Sequence, residues 1–216
     1  MKKLINGALD FIFPPVCGVC GKFADNYLCD ECKDKLYLVS KGICEKNQSQ
    51  NNNEHFWLFK YEDIRNLILK YKFNECSYLY ITITELILGN EKAKQILNNA
   101  DYIISVPIHK KRLYERGYNQ CSLIAKRLAG SINKLTYLSN VLGKRKNIVP
   151  QSTLNKEERI DNVKNVFYIK NKIDLSDKVI VLFDDIYTTG STVAECINVL
   201  KTLNYKYIYV FTIAKK

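Results

Sequence analysis

Uninterrupted apolar runs are short in this chain. None approaches the roughly 18 residues a membrane-crossing helix needs, so any membrane association would go through partners or the surface. A secretory leader is not expected either, because Met1-Lys-Lys-Leu-Ile-Asn-Gly-Ala-Leu-Asp10 breaks its apolar stretch at Asn6 and Asp10. Without a leader, eight cysteines do not imply a disulfide framework, and the expected compartment is the cytoplasm. Leu4 to Phe13 reads as a short amphipathic helix packing on the body. Proline and glycine are sparse, four and nine in 216 residues, while Lys, Asn, Ile and Tyr abound; such a bias raises the lysine count by itself. Acids are also few, 22 against 33 Lys plus Arg, for a formal net charge of +11. The deficit is local: between His109 and Lys146 ten Lys or Arg stand against Glu115 alone. That excess suits a polyanionic ligand, a pyrophosphate group or a nucleic-acid backbone, the bland alternative being a solvated basic face.

What the chain does have begins with Cys17-Gly-Val-Cys20 and Cys29-Asp-Glu-Cys32, two C-x-x-C pairs eight residues apart. Each pair clamps an ion from a tight turn, and four thiolates close a tetrahedral zinc shell with no open position for catalysis. A redox role would explain one pair and leave the second idle. Such a knuckle can also touch nucleic acid. Cys44 stands apart, and Cys76, Cys121 and Cys196 read as small core residues. Residues 47–53, Asn-Gln-Ser-Gln-Asn-Asn-Asn, form a polar run that suits a loop. The expected units are therefore 1–46 (N-terminal helix and four-cysteine zinc finger), a linker at 47–55, and a body at 56–216.

In the body, Phe56 to Tyr61, Tyr102 to Pro107, Phe167 to Lys170, Val179 to Phe183 and Tyr205 to Ile213 read as strands. Helical patterns cover Ile64 to Tyr71, Leu79 to Leu97 with a break at Gly89-Asn90, Gln120 to Gly130 and Val193 to Leu203. This alternation predicts an α/β fold, a mostly parallel sheet flanked by helices. Trp57 and its aromatic neighbours suit a sheet better than a base-stacking platform.

The most telling segment is Val179-Ile-Val-Leu-Phe-Asp-Asp-Ile-Tyr-Thr-Thr-Gly-Ser-Thr192. A β-branched strand runs to Phe183, and Asp184 and Asp185 follow at its carboxyl end, where open α/β sheets bind ligands. Thr188, Thr189, Gly190, Ser191 and Thr192 then supply amides and hydroxyls at a helix start, a cradle for phosphate. Simple helix capping would need one such residue. The turn after the preceding strand, Ser105-Val-Pro-Ile-His-Lys-Lys-Arg112, carries the positive charge the acidic turn lacks. Its Pro107 to Arg112 segment should emerge at the same sheet edge and hold a pyrophosphate through backbone amides and through His109, Lys110, Lys111 and Arg112. Arg116-Gly-Tyr-Asn-Gln120 reads equally as a helix start with a capping Asn.

The segment at 179–192 resembles the phosphoribosyl-pyrophosphate signature of type I phosphoribosyltransferases. That resemblance implies that Asp184 and Asp185 take the ribose hydroxyls and residues 188–192 the 5′-phosphate, with magnesium accompanying the phosphoribosyl pyrophosphate. Over almost its whole length the chain is similar to the competence protein F family. The residues that carry this are the Pro-Pro-x-Cys knuckle at 14–32, Leu69-Lys-Tyr-Lys-Phe73, Val106-Pro-Ile-His-Lys-Lys-Arg112, Glu115-Arg-Gly-Tyr-Asn-Gln120, Gln151 with Leu154, Arg159 with Asn162, Val166-Phe167 and the signature.

The family implies a cytoplasmic competence factor that binds single-stranded DNA during natural transformation and keeps a phosphoribosyl-pyrophosphate site. A competence helicase or an inner-membrane DNA channel would be its protein partner. Lys110, Lys111, Arg112, Arg116, Lys144, Arg145 and Lys146 are the candidate DNA contacts. Many members carry a further C-x-x-C after the knuckle, where this chain has Cys44. The alternative is an active phosphoribosyltransferase on an unidentified acceptor. In hypoxanthine-type relatives an acid just before the Thr-Gly is the general base; that position here is Thr188, as in orotate- and amido-type enzymes, so no catalytic residue is identified.

Overall fold

The structure is a computed structural model and describes residues 15–24, 27–46, 53–73, 76–145 and 166–216. After the cysteine knuckle come α1 (Asp30–Val39), β1 (Ile43–Lys46), β2 (Asn53–Lys60), α2 (Tyr61–Phe73), α3 (Leu79–Leu88) and α4 (Glu91–Asn99). They are followed by β3 (Tyr102–Ser105), α5 (Lys110–Arg116), α6 (Gln120–Ser131), β4 (Thr136–Tyr137), β5 (Leu142–Lys144) and β6 (Phe167–Ile169). The chain closes with β7 (Val179–Tyr187), α7 (Ser191–Leu200), a 3₁₀ turn (Lys201–Leu203) and β8 (Tyr207–Lys215).

Among the described residues, six strands form one sheet in the order β1-β2-β8-β7-β3-β4. Every pairing from β2 to β4 is parallel, and only the edge strand β1 runs antiparallel, on β2. The mostly parallel sheet expected from the alternation is thus present. Period-two alternation sorts the core onto two faces. Val181, Phe183, Phe211 and Ile213 pack with buried residues of α2, α3, α4 and α6. Ile180, Leu182, Ile208 and Val210 pack with those of α7, β5 and β6. Both faces are covered, as the β-branched run of β7 requires.

Several expectations shift in detail. β2 begins at Asn53, so residues 53–55, assigned to the linker, are strand; 47–52 lie outside the described residues, as do Leu4 to Phe13. β7 continues through Tyr187, which places both acids inside the strand. Phe167 to Ile169 does not join the main sheet but pairs antiparallel with Leu142–Lys144 in a separate ribbon. The basic turn after β3 is partly helical, because Gly117 in a left-handed conformation at φ 80° ends α5.

Candidate functional site

The knuckle is built by turns. Cys17 N–H donates to the Lys22 carbonyl, Gly21 N–H to the Cys17 carbonyl, and Gly18 N–H to the Tyr27 carbonyl. Lys70 of α2 donates to the carbonyls of Gly18 and Val19 at 3.1 and 3.3 Å, tying the knuckle to the body. The sulfurs of Cys17, Cys20, Cys29 and Cys32 all lie within 4.8 Å of one another, and those of Cys20 and Cys29 are 3.7 Å apart. A zinc ion with Zn–S bonds of about 2.3 Å needs tetrahedral S···S edges of about 3.8 Å, so the donor set fits zinc. Burial works against a Cys17 thiolate, but backbone N–H groups of Cys20, Cys29 and Val19 aimed at its sulfur bring that thiol down to about 6. Among the described residues no second four-cysteine cluster occurs; Cys44 instead donates to Glu54 at 3.3 Å.

In the sheet, β3 and β7 are parallel neighbours, so the chain leaves both at one sheet edge. Ser105 is registered with Phe183, and Val106 N–H donates to the Phe183 carbonyl at 2.9 Å. The basic turn and the acidic turn therefore emerge side by side, with Arg112 and Asp185 at the same edge. Asn119 fixes the spacing. Its amide donates to the Val106 carbonyl at 3.1 Å, while its carbonyl caps α6 through the N–H groups of Cys121 and Ser122. His109 caps α5, its Nδ1 accepting from Lys111 N–H at 3.2 Å. That is a structural role for a residue whose type alone said little.

Alternation along β7 sends the two acids different ways. Asp185 is buried and reaches toward α2 and α6, where Lys72 Nζ lies 2.6 Å from its Oδ2 and Gln120 Nε2 donates to it at 3.0 Å. Burial opposes charge on Asp185, but the Lys72 ammonium and its hydrogen bonds outweigh that and hold the carboxyl below the usual range. Asp184 is only partly covered. Burial, with the charge of Asp185 adding to it, pushes Asp184 up to about 7. Cys121 Sγ donates to Asp184 at 3.6 Å, and burial pushes the Cys121 thiol well up, the charges of Asp185 and Asp184 adding to it; it is a poor nucleophile. Donor atoms of Cys121, Asp184 and Asp185 lie within 4.8 Å of one another, but the Lys72 ammonium already neutralises Asp185.

Asp184 lines a small open cleft together with Ile186, Tyr187, Thr188, Gly190, Thr192 and Val193. Gly190 has φ 78°, and a Cβ there would meet the Tyr187 hydroxyl at 2.2 Å, so the close turn depends on glycine. Gly190 is the N-cap of α7 and offers no side-chain cap; the Ser191 N–H donates instead to the Thr189 hydroxyl at 3.5 Å. The hydroxyls of Thr189 and Ser191 bond each other at 2.8 Å.

The basic candidates differ in exposure. Lys110 and Lys111 are exposed on α5, and Arg112 and Arg116 are half-buried. Lys144 is drawn inward: burial, with Arg112 adding, holds its ammonium below the usual range, and Asp184 opposes this. Its ammonium lies 5.1 Å over the Phe167 ring. Arg145 lies 4.6 Å over the Tyr168 ring, and Lys146 lies outside the described residues, with Gln151, Leu154, Arg159 and Asn162. Sequence reasoning missed Lys72 and Gln120 as site residues. Their signal was present in Leu69-Lys-Tyr-Lys-Phe73 and in Asn119-Gln120, but nothing in either motif names its partner.

The double zinc ribbon domain family matches residues 8–56. "Competence protein F" of Haemophilus influenzae is 27% identical over 93% of this chain and 90% of its own length. "DNA utilization protein YhgH" of Escherichia coli O157:H7 is 30% identical over 62% of this chain, which spans only 59% of that protein. Among solved structures, the purine phosphoribosyltransferase of Pyrococcus horikoshii Ot3 aligns with a TM-score of 0.36 at 21% identity, covering 66% of this chain and 83% of that one. With an N-terminal zinc ribbon, four clustered thiols and a match along nearly its whole length, the chain is a homologue of competence protein F.

Proposed function

We propose that this chain is a DNA-uptake factor of natural transformation, binding single-stranded DNA through the basic surface around α5 and holding phosphoribosyl pyrophosphate with magnesium at the turn after β7. The observation that carries this reading is the emergence of a basic and an acidic turn at one sheet edge, joined by the Val106–Phe183 hydrogen bond. The names of the relatives, a competence protein and a DNA utilization protein, support the competence role. In this reading Thr188 to Thr192 cradle the 5′-phosphate, Asp184 accepts the ribose hydroxyls, and Asp185, locked to Lys72, holds the strand end in place. Arg112 and Lys144 face the pyrophosphate, and the closed four-cysteine site holds structural zinc. Magnesium would ride on the pyrophosphate oxygens and neutralise them.

Two measurements test this. Calorimetric titration with magnesium and phosphoribosyl pyrophosphate should show binding that Asp184→Asn with Gly190→Ala abolishes. Affinity for a single-stranded oligonucleotide should fall steeply with salt and lose slope on charge reversal at Lys110 and Lys111. A chain that binds neither ligand refutes the proposal.

One observation favours a second reading as an active transferase. Asp184 lines the cleft at the turn after β7, and burial raises its carboxyl, which suits it to move a proton. Pyrophosphate release that requires a nucleobase and is lost in Asp184→Asn would establish it.

A further inference from the structure

We infer that Phe73 and Tyr114 are base-stacking platforms, so that the DNA surface grips unpaired bases as well as phosphates; this rests on the DNA-binding reading above. Among the described residues, the large apolar side chains left in solvent are Phe23, Leu38, Phe73, Leu113 and Tyr114. Two of the five, Leu113 and Tyr114, stand on α5 inside the most basic stretch of the chain, and Phe73 meets α5 through Arg116. Tyr114 is 93% exposed and Phe73 68%, although Phe73 ends a helix whose Ile64, Leu67, Ile68 and Tyr71 are buried.

Phe73 is held in place. The Arg116 guanidinium lies 5.5 Å over its ring and is itself anchored to the Gln120 side-chain carbonyl. The Tyr118 hydroxyl donates to the Tyr71 carbonyl, and the two tyrosine rings sit 5.7 Å apart. These contacts clamp the turn carrying Arg116 to the end of α2. One side of the Phe73 ring is thus backed by a cation, and the ring remains largely open. Tyr114 stands three and four residues after Lys111 and Lys110, one helical turn away on the same side of α5.

Aromatic rings set among cations at a basic edge match the recognition chemistry of single-stranded nucleic acid. A base stacks on each ring while neighbouring Lys and Arg take the phosphates, and the contact tolerates any sequence because every base has a π face. A duplex hides those faces, so the platforms select unpaired strands. An acidic protein partner would be served by the lysines alone and would leave the rings in water.

The test uses the full zinc-loaded chain and fluorescence anisotropy with two probes about 20 nucleotides long, oligo-dT and an abasic strand with the same phosphates. The expected result is binding of oligo-dT at least about fivefold tighter than the abasic strand. Phe73→Ala with Tyr114→Ala should bring that ratio close to one while leaving the salt slope intact, and Tyr114→Phe should keep it. Equal affinity of the unaltered chain for both probes, or a double variant that keeps the preference, overturns the stacking role and leaves the DNA surface standing. Failure to bind either probe at low salt overturns both.

Discussion

Removing the ammonium that neutralises Asp185 should be the most damaging single change in the pocket. In Lys72→Met the aliphatic stem stays packed, but the carboxylate loses a partner at 2.6 Å while only 8% of its side chain is exposed. Breaking a buried pair from one side costs about 3–5 kcal/mol, and because Gln120 still donates to Asp185 the lower end is expected, about 3 kcal/mol. For a chain of this size that is a fall in Tm of about 6–12 °C. The pH dependence has a definite sign. In the intact chain Asp185 has a folded-state pKa below its unfolded value, so it contributes stability that is present above the unfolded pKa and is lost as pH falls through the folded one. In Lys72→Met the carboxyl should rise instead, so the deficit against the intact chain is largest near neutrality and shrinks in acid. Asp185→Asn should be damaging alone, yet Lys72→Met with Asp185→Asn should fall short of the sum of the two, a coupling that a double-mutant cycle from urea melts reads directly. A Tm shift below about 2 °C for Lys72→Met, corresponding to under about 1 kcal/mol, would refute the claim that this is a closed, buried pair.

Three further outcomes are expected. Asp184 has a raised folded pKa, so its protonated form stabilises the fold fully below the unfolded pKa and this contribution is lost as pH rises to about 7; Asp184→Asn should therefore gain stability relative to the intact chain at pH 8 and not at pH 4, and an Asp184 carbon-13 titration midpoint below 5 would contradict it. Metal analysis of the purified chain should give one zinc, lost in Cys29→Ser together with part of the thermal stability, since Cys17, Leu28, Cys32 and Leu36 belong to the main core; retention of zinc in that variant would sink the four-thiol assignment. Gly190→Ala should cost about 1–3 kcal/mol, since φ is 78° and the Tyr187 hydroxyl sits 2.2 Å from the new Cβ, and should weaken phosphoribosyl-pyrophosphate binding; unchanged urea and ligand titrations would contradict it.

The strands that carry the pocket were legible because each is an apolar run ending in polar residues, and alternating strands with helices was enough to bring the turns after β3 and β7 to one edge. The knuckle was legible because metal spacing is local in sequence. What escaped was short or paired over long range. α5, Lys-Lys-Arg-Leu-Tyr-Glu-Arg, buries no residue and so leaves no periodic trace, while β4 and β5 have two and three residues. The acid pair was easy to find, but its electrostatics were not, since Lys72 arrives from a helix far back in the chain. Lys144 was singled out by charge counting alone, which says nothing of its packing over the Phe167 ring in the ribbon of β5 and β6.

The sheet has one border that would be sticky if bare. β2 is eight residues long and carries the apolar run Phe56 to Phe59, the kind of open rim that recruits strands from other molecules. β1, the short segment leading away from the knuckle, lies along that rim with Ile43 opposite Trp57 and caps it with Glu45 and Lys46 in solvent. The cysteine module and its tail thus serve as a guard rail for the body, and a body expressed without them would be expected to self-associate through β2.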